Sequence, residues 1–205
     1  MARMNEVIAK LSAHERIRAA RHHIERADEV TLARQAALSA IPAPTGAETQ
    51  RAARAADLFR EVGLREVVID EVGNVRGWFR EDGAHPSAPV VVAAHLDTVF
   101  GPEIRVAVER RGDRLEGPGI SDNARGLAAL IAVAEALVRA RVSTARPILF
   151  VATVGEEGSG DLRGVKFLLN GNAAGAQQVA PRPESPCAFI ALDGAGLERI
   201  VHRAL

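Results

Sequence analysis

Four short clusters of histidine and acid occur in order along this chain: His95-Leu-Asp97, Asp122-Asn123, Glu156-Glu157 and Asp193-Gly194. Each lies where an apolar run stops or a helix is about to begin. Imidazole and carboxylate are ligands for divalent cations. A carboxylate has two oxygens and can bridge a metal pair about 3.5–4 Å apart. Such a set is what hydrolysis at a two-zinc centre requires.

The elements that must position these residues are legible. Pro89–Ala94 is apolar and β-branched and reads as a buried parallel strand. His95 and Asp97 follow at its carboxyl end, where open α/β sheets place their ligand crevices. Residues i and i+2 of an extended chain point the same way. Asp97 can therefore reach the His95 ring, fixing its tautomer and raising its basicity. Gly117–Gly126 leads into Leu127, Leu130, Ile131, Ala134, Leu137 and Val138 at helical spacing, with Ser121, Asp122 or Asn123 as the N-cap. Pro147–Val154 is a second buried strand, ending in Gly155-Glu156-Glu157-Gly158. Carboxylates are rarely placed at a buried edge without partners. Successive side chains of an extended segment diverge, so one glutamate can ligate metal while the other acts on water. Cys187–Leu192 reads as a third buried strand, with Cys187 a small buried side chain and Asp193 at the carboxyl end. Taken singly, each cluster also has a plain structural reading: a core His–Asp pair, a helix cap, an acidic turn, a turn aspartate. Three strand ends and one helix start, each offering a ligand, make coincidence a poor explanation.

The segments HLDTV at 95–99, GPGISDNARG at 117–126, GEEG at 155–158 and LDG at 192–194 resemble a known family in order and spacing. It is the co-catalytic zinc peptidase family that includes peptidase T, aminoacylase, acetylornithine deacetylase and carboxypeptidase G. The resemblance runs from about Leu32 to the end of the chain. It implies that His95 and Asp193 hold one zinc and Glu157 the other, with Asp122 bridging both. It also implies a cis peptide bond after Asp122. Asp97 would orient His95, and Glu156 would be the general base acting on the metal-bridging water. Asp193, where other branches carry Glu, aligns the chain with the aminopeptidase and tripeptidase branch, acting on small peptides. An N-acyl-amino-acid deacylase of the same family and an inactive zinc-binding scaffold are the alternatives. In such relatives a lid or dimerisation domain follows, and then a second His ligand for the Glu157 zinc. Neither is found up to Leu205, so the expectation is a truncated catalytic domain, with one zinc retained and little activity. His202 is the one downstream histidine after Asp193.

Composition agrees with one α/β unit: a three-layer, largely parallel sheet with helices on both faces, of the zinc-exopeptidase kind, lacking the lid domain. At 205 residues and 47% hydrophobic, the chain can bury a real core. The net charge of zero and scattered arginines give no nucleic-acid or anionic-membrane footprint. No apolar run reaches membrane-spanning length, and the N-terminus lacks a leader pattern, so a cytoplasmic location is the expectation. A single cysteine excludes an internal disulfide. Residues 1–28 read as a helical extension and 29–205 as the catalytic unit, with 171–186 a surface loop. Helices are expected over 4–25, 30–40 and 48–62, with a short helical turn over 165–169. Hairpins are expected around Gly73-Asn74 and Gly112-Asp113. The His22-His23 doublet reads as a solvated helix face.

Overall fold

The computed structural model describes residues 2–80, 88–170 and 186–194. Three N-terminal helices come first: α1 (Ala2–Ala13), α2 (Glu15–Arg26) and α3 (Asp28–Ser39). The expected helix over 4–25 is thus two, separated at His14, whose backbone is extended. Helix α4 (Thr49–Glu61) then precedes the hairpin β1 (Arg65–Ile69) and β2 (Val75–Phe79). Strand β3 (Val90–His95) carries the first cluster to its end. A small ribbon of β4 (Glu109–Arg111) and β5 (Arg114–Glu116) follows, the hairpin expected around Gly112-Asp113. Helix α5 (Ala124–Arg139), strand β6 (Ile148–Thr153), helix α6 (Arg163–Asn170) and strand β7 (Ala188–Ala191) complete the described elements. The expected loop over 171–186 lies almost wholly outside the described residues, as does His202.

The main sheet has the order β1-β2-β6-β3-β7. Strand β3 pairs in parallel with β6 on one side and β7 on the other, while β2 joins β6 antiparallel. The three parallel strands are those read as buried apolar runs, and the hairpin extends them. Alternation along the strands divides the core in two. Ala94, Phe150 and Ala152 face the larger cluster, where Leu58, Phe59, Leu127, Leu130 and Ile131 of α4 and α5 pack. Val91, Ala93, Leu149 and Val151 face the other way, against Leu168 of α6. Helices therefore cover both faces, as a mainly parallel sheet requires.

Two readings need correction. Cys187 is exposed rather than buried. Strand β7 is itself mostly exposed, because among the described residues it is an edge strand paired only with β3. The histidine doublet is split: His22 is exposed, whereas His23 is half-buried with Nε2 3.8 Å from Glu135.

Buried polar groups tie these layers together. Asn74, in the β1–β2 turn, is fully buried. Its amide donates to Asp70 at 3.0 Å and to the Gly164 carbonyl at 3.1 Å, and its oxygen accepts from Val154 N at 3.1 Å. The hairpin turn is thereby fastened to the end of β6 and the start of α6. Arg51, also fully buried, donates to the carbonyls of Ile41 and Leu96, linking the α3–α4 connection to the end of β3.

Candidate metal centre

His95 ends β3 and is buried. Its Nδ1 lies 3.0 Å from the main-chain carbonyl of Asp97, an acceptor only, so Nδ1 carries a proton there. The Asp97 carboxylate is further away, at 3.5 Å. His95 Nε2 faces the opposite way, 2.9 Å from Asp122 Oδ1 and 3.3 Å from Asp193 Oδ1. The peptide bond after Asp122 is cis. Asp122 precedes α5, whose N-cap is Asn123, accepting from Gly126 N at 3.0 Å. The same side chain donates to the Leu192 carbonyl at 2.9 Å. One asparagine thus starts the helix and fastens it to the residue before Asp193. Gly126 is required there: a Cβ would lie 2.0 Å from Asn123 Oδ1 and 2.6 Å from Leu192 O.

Two sets of side chains converge closely enough to share a cation: His95 with Asp122 and Asp193, and His95 with Glu156 and Glu157, the atoms of each set within 4.8 Å of one another. All six residues singled out from the sequence are brought to one end of the sheet. The geometry differs from the expected partition in one respect. His95 is grouped with both glutamates, whereas Asp122 is grouped with His95 and Asp193 but not with Glu157.

The donor set fits a divalent cation. Zinc bonds of about 2.0–2.2 Å at tetrahedral angles place neighbouring ligand atoms roughly 3.3–3.6 Å apart; Asp193 Oδ1 stands 3.3 Å from His95 Nε2, at that spacing, and Asp122 Oδ1 2.9 Å, inside it at hydrogen-bond distance. Charge points the same way. Burial disfavours the charged imidazole, yet Asp97, Asp193 and Asp122 hold the His95 pKa up to about 9. Burial, together with Asp193, Asp97 and Asp122, raises Glu156 against the opposing pull of His95. Glu157 is raised by burial and then by Asp122. Five carboxylates surround one imidazole, a strong local excess of negative charge.

Asp97 shows a role the sequence did not reveal. Its carboxylate is fully buried and accepts from Glu156 N at 3.0 Å, Glu157 N at 3.0 Å and the Thr45 hydroxyl at 2.9 Å. Burial works against its ionisation, but His95 and these donors outweigh it and hold the pKa at about 2. Gln35 and Ser39 of α3 were also missed. They donate to the carbonyls of Ile120 and Pro118 at 2.7 and 2.9 Å, fixing the loop that leads to Asp122. Single polar residues on an amphipathic helix carry no periodic signal that would have marked them.

A buried imidazole amid carboxylates thus stands at the carboxyl ends of three parallel strands, in a group that could hold a metal ion. Residues 91–199, just over half of the chain, match the sequence model of Peptidase family M20/M25/M40, and the chain belongs to that family. Among solved structures, a tripeptidase from Staphylococcus aureus is similar at 25% identity and a TM-score of 0.59, over 81% of this chain and 43% of that one. Aminopeptidase PepT from Bacillus cereus matches at 21% identity and 0.61, over 82% and 44%. Human carnosine dipeptidase 1 shares the fold at 16% identity and 0.56, over 68% and 35%. The chain thus spans less than half the length of these three structures. No curated protein matches the sequence. No helix among the described residues is long and apolar enough to cross a membrane.

Proposed function

We propose that this chain carries the catalytic centre of a zinc-dependent amide hydrolase acting on small peptides, of the aminopeptidase or tripeptidase kind. The observation that carries the reading is the convergence of His95, Asp122 and Asp193 on one point, with Glu156 and Glu157 beside it. Residues 29–205 form the catalytic unit in this reading, and 1–28 an appended helical segment.

His95, Asp122 and Asp193 would hold one zinc, and Glu157 with Asp122 a second. Bound zinc would polarise the scissile carbonyl and make water acidic near neutral pH. The chain's own residues do the rest. The His95 Nδ1–H bond to Asp97 O turns Nε2 towards the acids. Glu156, raised by burial and its acidic neighbours, accepts a proton from the attacking water on its carboxylate. It then returns that proton to the departing amine. Asp122 and Asp193 are more than half exposed, so a peptide can reach them from solvent.

A single imidazole nitrogen serves one cation. Since His95 Nε2 faces Asp122 and Asp193, the first zinc should be firm and the second weak in this chain. The substrate test compares hydrolysis of free-amine tripeptides with that of N-acyl amino acids by zinc-loaded protein. Preference for tripeptides is expected, and preference for acylated substrates would instead establish a deacylase.

A further inference from the structure

We propose that Glu48, remote in sequence from every ligand, is a positioning residue that sets the Glu156–Glu157 pair. This inference rests on the reading of those two glutamates as base and ligand. Glu48 is buried just before α4. Its Oε1 accepts from Gly46 N at 3.0 Å and from Gly155 N at 3.0 Å. Gly155 immediately precedes the pair. With Asp97 accepting from the amides of Glu156 and Glu157, two buried carboxylates hold three consecutive amides. Arg163 closes the frame. Its guanidinium lies 3.3 Å from Glu48 Oε1 and its main-chain N–H donates to Gly155 O at 3.0 Å. Gly155 has φ +60, and a Cβ there would meet Arg163 at 3.0 Å, so the backbone passes directly beneath that side chain. The segment 45–48 therefore acts twice, through Thr45 on Asp97 and through Glu48 on Gly155. A frame of charged acceptors on main-chain amides fixes the strand end without occupying either glutamate side chain.

The test uses the full chain as wild type, Glu48→Ala, Glu48→Asp and Glu48→Gln, each checked for fold by circular dichroism. Amide hydrogen exchange is read in peptides covering 155–157 and, as a control, α5. Loss of a charge-assisted hydrogen bond should speed exchange at 155–157 by about tenfold or more in the Ala and Asp variants, with α5 unchanged. Gln keeps an acceptor oxygen and should stay within roughly threefold of wild type. Cobalt(II) absorption should change in Glu48→Ala and return towards the wild-type spectrum in Glu48→Gln. Should Glu48→Ala fail to fold, Glu48→Asp carries the comparison, since it keeps the charge but is one methylene short. Wild-type exchange at 155–157 in the folded Ala or Asp variant overturns the proposal. Exchange needs no metal, so a wild-type chain that binds no cobalt counts against the zinc reading alone.

Discussion

At the scale of single residues, the two adjacent glutamates carry the sharpest expectation. Glu156→Gln removes a proton acceptor and should lower turnover by about 10²–10⁴-fold, with zinc still bound. Glu157→Gln removes a ligand and should weaken the second metal more than the first. Calorimetric zinc titration beside a peptide-cleavage assay separates the two, and equal metal loss in both variants would reverse the assignment. The geometry makes this a real test, because His95 is close enough to both glutamates to share a cation with either. The convergence of six residues was readable from sequence because each is a histidine or an acid placed at a strand end or just before a helix. The acceptors behind them were not. Asp97 was read as a partner of His95, yet its carboxylate is engaged more closely by the amides of Glu156 and Glu157, some 60 positions away. No local pattern encodes a contact of that span.

Among the secondary-structure elements, side chains that bridge layers should govern stability. Asn74→Ala would leave Val154 N and Gly164 O buried without the partners Asn74 supplies. A loss of about 2–4 kcal/mol is expected from urea denaturation, and a change below about 0.5 kcal/mol would show the bridge to be dispensable. Asn123→Ala removes a helix cap and the tie to Leu192 together. It should cost about 1–2 kcal/mol and also weaken zinc binding, since Asp122 and Asp193 lie on either side of that tie. Stability loss with unaltered zinc affinity would deny Asn123 its link to the centre. Apolar runs and turn glycines announced the parallel strands and the β1–β2 hairpin. The break at His14 was hidden, because its flanks are equally helical in composition. The exposure of β7 depends on sheet order, which no single segment records.

At the scale of the whole molecule, three strand ends and one helix start bring five carboxylates and one imidazole together. Folding brings acids together against their mutual repulsion, so a bound cation should stabilise the chain by linkage. Zinc should raise the melting temperature, and a chelator should return it to the metal-free value. The fold class and family were legible because four motifs occur in order. The substrate was not, because histidine and carboxylate motifs carry no information on which side chain a pocket would accept. The measurement that bears most directly on the central claim is zinc bound per chain after loading and dialysis, for wild type, His95→Ala and Asp193→Asn. One firmly held zinc is expected in the wild type. The affinity of both variants should fall beyond the roughly 10–100-fold typical of a change behind the ligands. A wild type that retains no zinc, or variants that bind it as tightly as the wild type, would contradict that claim.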